Sequence, residues 1–145
     1  MNLFVFVRER LLANSRIYSF LMNFLDKGGA KENLIDLINA DPGCKILDIG
    51  CGPASILKHL NDVHYFGIDL SETYIETAQK TFGNKGTFYC ASVDNFPTLS
   101  STKFDRILLL GVLHHLTDAQ ISNMLPSIIK LLAPGGKIIS LTQYS

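Results

Sequence analysis

The chain has 145 residues, of which 47% are hydrophobic, and its 13 basic side chains balance its 13 acidic ones. This length supports one domain with an ordinary apolar core and makes a second domain of normal size untenable. A chain without net charge has no long-range field to attract nucleic acid, an anionic membrane or a strongly charged partner. The composition therefore favours a small, roughly neutral substrate and no nucleic-acid partner.

Cysteine usage and the amino terminus bear on the cell compartment. Cys44, Cys51 and Cys90 stand at unrelated spacings without a C-x-x-C pair, which predicts neither a disulfide framework nor a metal site. The apolar run from Leu3 to Val7 is too short for a signal peptide or a membrane span. The sequence thus predicts a soluble protein of the reducing cytoplasm, with no membrane partner.

Helix-like and strand-like segments alternate along the chain. Two helices precede the first strand, one with apolar residues at helical spacing from Ile17 to Leu25 and one from Leu34 to Ile38. Short apolar runs bounded by turn residues then predict five strands, at 45–49, 65–68, 87–90, 104–110 and 137–142. The fourth of these is apolar on both faces, as a central parallel strand covered by helices must be.

Further helices are predicted between the strands. One spans 54–60, and a second begins after Ser71, which acts as its N-cap. A third opens with the capping-box residues Thr117 and Gln120 and is expected to stop at the Pro-Gly-Gly of 134–136. Strands that alternate with helices of this length predict an α/β, doubly wound parallel sheet, which binds ligands at the carboxyl ends of its strands.

The segment with the clearest chemical content, Ile46 to Ser55, reads ILDIGCGPAS. Gly50 and Gly52 remove Cβ atoms where a turn is tight and a ligand must approach the backbone. The second predicted strand leads into Asp69, which is placed to accept hydrogen bonds from both hydroxyls of a ribose. Any strand-turn-helix junction can use two such glycines, but the second acid favours a ligand that contains a ribose.

With these residues, the chain resembles the class I, Rossmann-like, S-adenosylmethionine-dependent methyltransferases from about residue 43 to residue 142. Four segments match the family in order, namely LDIGCGPA, GIDLS, FDRILLLGVLHHL and LLAPGGKIIS. Each is weak alone, and their order and spacing together carry the resemblance. It implies the strand order 3-2-1-4-5, a helical cap at 1–40 and a cofactor-binding core at 41–145. The sixth and seventh strands of the family are expected to be missing.

The resemblance assigns roles at the methionine end of the cofactor. Backbone groups of Gly50, Cys51 and Gly52 would surround the methionine part of S-adenosylmethionine. Asp48 would help to organise this loop and the methionine ammonium, through the backbone or through water, which makes it a binding residue and a poor base. The carbonyl of Gly111, at the end of the fourth strand, would accept a hydrogen bond from the same ammonium.

At the nucleoside end, the resemblance gives the ribose to Asp69 and one face of the adenine to Leu70. The family often places an acid after the third strand to accept from the adenine amino group, and the favoured alignment puts Ser92 there. The backbone of Val93 would then lie on the adenine edge. A hydroxyl is a weaker acceptor than a carboxylate. In an alternative register, Asp94 takes this task.

One departure from the family pattern and one pair of candidate catalytic residues bear on activity. Ala54 stands where the family commonly has a third glycine, and its additional methyl group is expected to fit. His114 and His115 follow the fourth strand, where either could be a general base for a substrate hydroxyl or amine, because imidazole titrates near neutral pH. The alternative is that one packs and the other hydrogen-bonds the backbone, as paired histidines are common in this loop.

The leading hypothesis is an enzyme that moves the methyl group of S-adenosylmethionine to an O, N, C or S nucleophile of a small molecule and leaves S-adenosylhomocysteine. The runner-up is a non-catalytic module that binds either compound, or an inactive fragment. An exposed edge at the fifth strand would invite a homo-oligomer. A dehydrogenase domain that binds NAD fits less well, because Ser55 stands where the dinucleotide motif requires glycine.

Overall fold

The computed structural model describes residues 30–96, 101–110, 112 and 116–141. The sequence predictions for the first N-terminal helix, for Gly111 and for His114 and His115 fall outside these residues, as does the last residue of the predicted fifth strand. Within the described ranges, no helix combines the length and the hydrophobicity that crossing a lipid bilayer would require.

Parallel strands form one sheet with the order β3-β2-β1-β4-β5. They are β1 (Lys45–Ile49), β2 (His64–Asp69), β3 (Gly86–Cys90), β4 (Phe104–Leu110) and β5 (Leu132–Leu141). The order confirms the predicted doubly wound topology, because the chain leaves the centre through β2 and β3 and returns on the other side of β1. Such a reversal opens a crevice at the carboxyl ends of the central strands.

Helices cover both faces of this sheet. They are α1 (Ala30–Ile38), a short 3₁₀ helix (Ser55–His59), α2 (Glu72–Phe82) and α3 (Asp118–Leu131). Two caps predicted from the sequence are confirmed. The Ser71 hydroxyl accepts a hydrogen bond from the backbone N–H of Tyr74 at 3.3 Å, and Thr117 and Gln120 form a reciprocal capping box. Each cap satisfies backbone donors that the first turn of a helix leaves unpaired.

The segment predicted as a helix at 54–60 forms a 3₁₀ helix at Ser55–His59. Ala54 precedes it with a left-handed φ of 61°, and the backbone N–H of Leu57 donates to the Ala54 carbonyl at 3.0 Å. Such i→i+3 hydrogen bonds give the tighter winding that short connecting helices commonly adopt. Three consecutive residues from Ser55 are buried.

The fifth strand begins earlier than the predicted residue 137. Leu132 already pairs with Phe104, and regular pairing continues from Lys137 opposite Arg106. The register shift between them absorbs the Pro-Gly-Gly segment, in which Gly135 has a φ of 75°. The α3 helix therefore ends before this segment rather than at it, because an isolated left-handed glycine allows the strand to bulge and continue.

Apolar side chains form a core on each face of the sheet. On the first face, α1, the 3₁₀ helix and α2 bury a cluster that includes Leu34, Ile46, Leu57, Tyr65, Phe82 and Phe88. On the second face, α3 and the segment after β3 bury a cluster that includes Leu47, Phe96, Phe104, Ile107 and Ile128. Burial on both faces keeps the strands rigid, so that groups at their carboxyl ends have defined positions.

Arg106 of β4 fastens α1 to the sheet. Its guanidinium donates to the carbonyl of Ile38 at 2.7 Å and to the carbonyl of Asn39 at 3.0 Å. The last carbonyls of a helix lack partners within the helix and carry a partial negative charge, so a cation stabilises them. The anchor lies toward the amino ends of the strands, away from the glycine turn.

Candidate functional site

The turn that follows β1 is built from left-handed residues. Gly50, Gly52 and Ala54 have φ values of 71°, 54° and 61°. The backbone N–H groups of Gly50 and Cys51 both donate to the carbonyl of Ile68, at 2.8 and 3.0 Å, and tie the turn to the end of β2. Glycine reaches this conformation without strain. The two glycines are thus required by the path of the backbone.

Ala54 occupies the third left-handed position of the turn. Its methyl group is accommodated in the core, since the residue has 0% of its surface exposed. The left-handed conformation costs a residue with a Cβ roughly 1 kcal/mol. The departure from glycine therefore affects the conformation of the backbone as well as the space available for a methyl group.

The carboxylate of Asp69 braces the turn and the start of α2 together. Its Oδ2 accepts a hydrogen bond from the backbone N–H of Gly52 at 2.9 Å, and its Oδ1 accepts one from that of Ser71 at 2.8 Å. Burial raises the pKa of Asp69, and hydrogen bonds from the backbone of Ser71, Gly52 and Leu70 oppose the rise. Each oxygen retains a lone pair, so the group can still accept from a ligand.

Asp48, the other acid of the motif, lies beneath the turn and is 3% exposed. Its Oδ2 accepts a hydrogen bond from the Tyr65 hydroxyl at 2.6 Å, while its buried Oδ1 has no partner. Burial raises the pKa of Asp48 to about 7, the Tyr65 hydrogen bond lowers it, and the charge of Asp69 raises it. A buried acceptor without a partner is costly and calls for a ligand or a proton.

Tyr65 is a site residue that the sequence analysis did not identify. It pairs with Ile46 in the parallel register, which puts its side chain on the same face of the sheet as Asp48. Burial raises its pKa well above the ordinary range of a phenol, so its hydroxyl stays a donor. A tyrosine inside an apolar strand was the available signal, because a buried phenol needs a hydrogen-bond partner.

Cys51 fills the space between the turn and β2. Its Sγ donates to the carbonyl of Gly52 at 3.3 Å, and a Cβ on Gly67 would stand 2.8 Å from that sulfur. Burial raises the pKa of the Cys51 thiol well above its usual value. A neutral, buried thiol is a poor nucleophile, so this residue packs the floor of the turn.

The loop after β3 holds the residues expected at the adenine edge. The half-buried Ser92 accepts a hydrogen bond on its hydroxyl from the backbone N–H of Asn95 at 3.3 Å. The side chain of Val93 is buried in the core of the second face. Asp94 is exposed, and its Oδ1 accepts from the Ser127 hydroxyl at 2.8 Å. Asp94 is therefore already engaged with α3.

The carboxyl ends of β1, β2 and β3 meet at one edge of the sheet, where the backbone N–H of Ala91 donates to the Asp69 carbonyl at 3.1 Å. The predicted cofactor residues that lie there are Asp48, Gly50, Cys51, Gly52, Asp69, Leu70, Ser92 and Val93. No cluster of three or more His, Cys, Asp or Glu side chains suited to a metal occurs among the described residues.

These residues fit a cofactor with a cationic amino-acid end and a ribose. The free Oδ1 of Asp48 is a buried acceptor for which a cation is the natural partner. The turn presents backbone without Cβ atoms at Gly50 and Gly52, and the lone pairs left on Asp69 can accept from hydroxyls. The cationic end, the close approach to the backbone and the ribose are each matched by a different group at the same edge of the sheet.

Comparison with known families agrees with this geometry. A family model described as a methyltransferase domain matches residues 46–136. The matched range begins in β1, contains both acids and the glycine turn, and ends in the Pro-Gly-Gly segment of β5.

The chain is also similar to individual proteins. Phosphoethanolamine N-methyltransferase of Triticum aestivum is 29% identical over 136 residues, which are 89% of this chain and 26% of that protein. Probable tRNA methyltransferase 9B of Mus musculus is 33% identical over 101 residues, which are 68% of this chain and 21% of that protein. This chain therefore spans about a quarter of the length of these two relatives.

A solved structure extends the likeness to three dimensions. The structure of PKMT2 from Rickettsia typhi in complex with AdoHcy superposes with a TM-score of 0.57 at 28% identity, over 74% of this chain and 23% of that chain.

Proposed function

This chain belongs to the methyltransferase-domain family of class I, S-adenosylmethionine-dependent enzymes, and we propose that it transfers the methyl group of S-adenosylmethionine to a nucleophile of a small molecule. One observation carries the proposal. The left-handed glycine turn, the braced carboxylate of Asp69 and the unpartnered oxygen of Asp48 meet at the carboxyl ends of adjacent parallel strands. That position is where a doubly wound sheet binds its ligand.

Within this proposal, each group binds one part of the cofactor. The two backbone donors that hold Asp69 orient its carboxylate to accept from the ribose hydroxyls, and the free oxygen of Asp48 faces the cationic end. Leu70, half-buried just after β2, covers one adenine face. The Ser92 hydroxyl and the backbone of Val93 lie at the adenine edge.

Catalysis then depends on position more than on acid-base chemistry. The cofactor supplies a methyl group already activated by its sulfonium. The protein has to hold the acceptor in line and exclude water. The carbonyl of Gly111 completes the binding of the ammonium in this proposal, and His114 or His115 acts as the general base where the acceptor carries a proton.

The class of acceptor is the finer part of the proposal. A small molecule is supported by the balanced charge of the chain, 13 basic against 13 acidic side chains, and by the likeness to a phosphoethanolamine methyltransferase. The chain is also similar to a probable tRNA methyltransferase. Family membership therefore gives no support to the expectation of no nucleic-acid partner. An RNA acceptor is therefore the competing outcome of the test.

The proposal also covers the division of the chain into cap and core and its oligomeric state. Residues 1–40 are proposed to cap the core at 41–145, and the edge of β5 to form a contact between copies in the cytoplasm. Of the proposed cap, α1 packs on the first face of the sheet through Leu34 and Ile38. Light scattering together with size-exclusion chromatography measures the oligomeric state that this edge contact predicts.

Calorimetric titration of the protein with S-adenosylmethionine, S-adenosylhomocysteine and NADH tests the cofactor. The first two should bind, and NADH should not. Transfer of labelled methyl groups to a panel of small amines and phenols, with bulk tRNA in parallel, then tests the acceptor. Binding of NADH alone would contradict the cofactor assignment, and labelling of tRNA alone would replace the small-molecule acceptor by RNA.

A further inference from the structure

Asp48 and Tyr65 form a buried, hydrogen-bonded pair on adjacent strands. The two side chains point to the same face of adjacent strands, are 3% and 1% exposed, and share a hydrogen bond of 2.6 Å. The tyrosine occupies one carboxylate oxygen and leaves the other without a partner. The pair thus has one carboxylate oxygen held by Tyr65 and one open oxygen, which is buried and has no hydrogen-bond partner.

Among the residues that the structure describes, no cation acts on this pair to stabilise the charged carboxylate. The titratable groups that act on the pair are Asp69 of β2 and the thiol of Cys51 in the turn. The helices packed on this face contribute apolar side chains such as Leu57 and Phe82. Because burial raises the pKa of Asp48 to about 7, a large fraction of the empty sites carries a proton near neutral pH.

We propose that Tyr65 is a positioning residue that holds Asp48 with one open oxygen toward the cationic end of the cofactor, and that cofactor binding expels a proton from this pair. The inference rests on the proposed function and names a regulation of the same site. On binding, the O–H bond of the protonated Asp48 breaks and its proton passes to bulk water. The ammonium takes the place of that proton beside the open oxygen.

Two physical arguments support the exchange. A cation next to a buried acid stabilises the ionised form, so binding and proton loss must be linked. The Tyr65 hydroxyl also stabilises the ionised form, and it keeps its own proton because burial raises its pKa well above the ordinary range. Removal of that hydroxyl should therefore shift the titration of Asp48 upward.

Titration of the protein with S-adenosylhomocysteine across about pH 5.5 to 8 tests the linkage. The affinity should rise by up to about tenfold per pH unit below neutrality and level off above it, and calorimetry in two buffers of different ionisation enthalpy should show proton release. The analogue 5′-methylthioadenosine, which has no ammonium, should bind with an affinity that does not depend on pH.

Two tyrosine variants separate positioning from a general loss of structure. Tyr65→Phe keeps the ring and removes the hydroxyl, so its affinity at low pH should fall by roughly tenfold relative to the wild type, with most of the difference gone at the upper end of the range. Tyr89→Phe makes the same change in the second core, where Tyr89 contacts Phe96, and should leave the whole profile unchanged. Thermal melting of both variants establishes that they are folded.

The outcomes are distinct. A wild-type affinity that is constant across the range, or an equal loss at every pH for Tyr65→Phe, would overturn the inference while leaving cofactor binding intact. Failure of S-adenosylhomocysteine to bind at any pH would instead contradict the proposed function. A shifted profile for Tyr65→Phe with an unchanged profile for Tyr89→Phe supports the positioning role.

Discussion

The two ends of the central strands differ in how far their acidic side chains are buried. At the amino ends, a groove of about 620 Å³ lies between the turns that precede β2 and β3, and the side chains of Asp62, His64 and Lys85 that line it are exposed to water. At the carboxyl ends, Asp48 and Asp69 are 3% and 2% exposed. Burying carboxylates costs free energy, so these two acids mark the carboxyl ends of the strands as the place where the chemistry lies.

Left-handed backbone occurs at both ends of the strands, so it distinguishes them less clearly than side-chain burial does. Asp62 at the amino end has a left-handed φ of 51°, and Ala54 at the carboxyl end has one of 61°. The Asp62 carbonyl accepts from the backbone N–H of Gly43 and joins the turn before β2 to the turn before β1. Aspartate tolerates the left-handed region through its short polar side chain, so the strain at the amino end has a local explanation.

The largest expected effect is on the pH dependence of stability in Asp48→Asn. Burial raises the pKa of Asp48 from 3.8 to about 7, so its proton stabilises the folded state at low pH. That stabilisation is lost as the pH rises from about 4 to about 7, by up to about 1.4 kcal/mol per pH unit. Urea denaturation at several pH values should show a smaller decline in the variant than in the wild type, with the remainder contributed by groups such as Asp69, whose pKa is also raised.

The control for this variant is Asp62→Asn at the opposite end of the strands. Asp62 is exposed, and asparagine also tolerates its left-handed backbone, so the variant should keep the wild-type decline. Equal pH dependence in the wild type and in Asp48→Asn would show that the buried acid does not titrate in this range.

A somewhat smaller effect is expected on cofactor binding in Asp69→Asn. The amide lacks the charge and offers only one oxygen to the backbone N–H groups of Gly52 and Ser71. The affinity for S-adenosylhomocysteine should fall about ten- to a hundredfold, which corresponds to roughly 1.5 to 3 kcal/mol. Calorimetry at constant pH measures it, with Asp62→Asn expected at wild-type affinity. A folded Asp69→Asn protein that binds normally would remove Asp69 from the site.

Arg106→Met should weaken the fold without changing the site. The variant keeps an unbranched apolar stem but loses the charged hydrogen bonds to the Ile38 and Asn39 carbonyls. The free energy of unfolding should drop by about 1.5 to 2 kcal/mol, measured by denaturation. Arg106→Lys should recover part of it. A changed affinity for S-adenosylhomocysteine in the folded variant would show that the two ends of the strands are coupled.

The smallest effect is expected for Ala54→Gly in the turn. Relief of the left-handed strain, about 1 kcal/mol, offsets the loss of a buried methyl group, about 0.8 kcal/mol. Ala78 is equally buried but lies in the right-handed helix α2, so Ala78→Gly should lose about 1.5 to 2 kcal/mol. The melting temperatures of the two variants show how the loss of stability differs between the two positions. Equal losses would mean that the turn stores no strain at Ala54.

The sequence by itself determined the elements and the edge at which the site lies. Turn residues bounded the apolar runs that became strands, the capping pattern at Thr117 placed α3, and Gly50, Gly52 and Asp69 stood directly after predicted strands. These features depend on neighbouring residues along the chain, because turn geometry, capping and side-chain periodicity are local. Parallel strands then bring their carboxyl ends together whatever the details of packing.

Only the tertiary structure decided how the acids are held. The register between β1 and β2 brings Tyr65 to Asp48, and the path of the turn brings the backbone of Gly52 to Asp69. The 3₁₀ helix and the early start of β5 likewise depend on contacts with distant segments. Burial then sets the pKa of Asp48. Hydrogen bonds and desolvation of this kind arise between residues that are far apart in the sequence, so no local pattern encodes them.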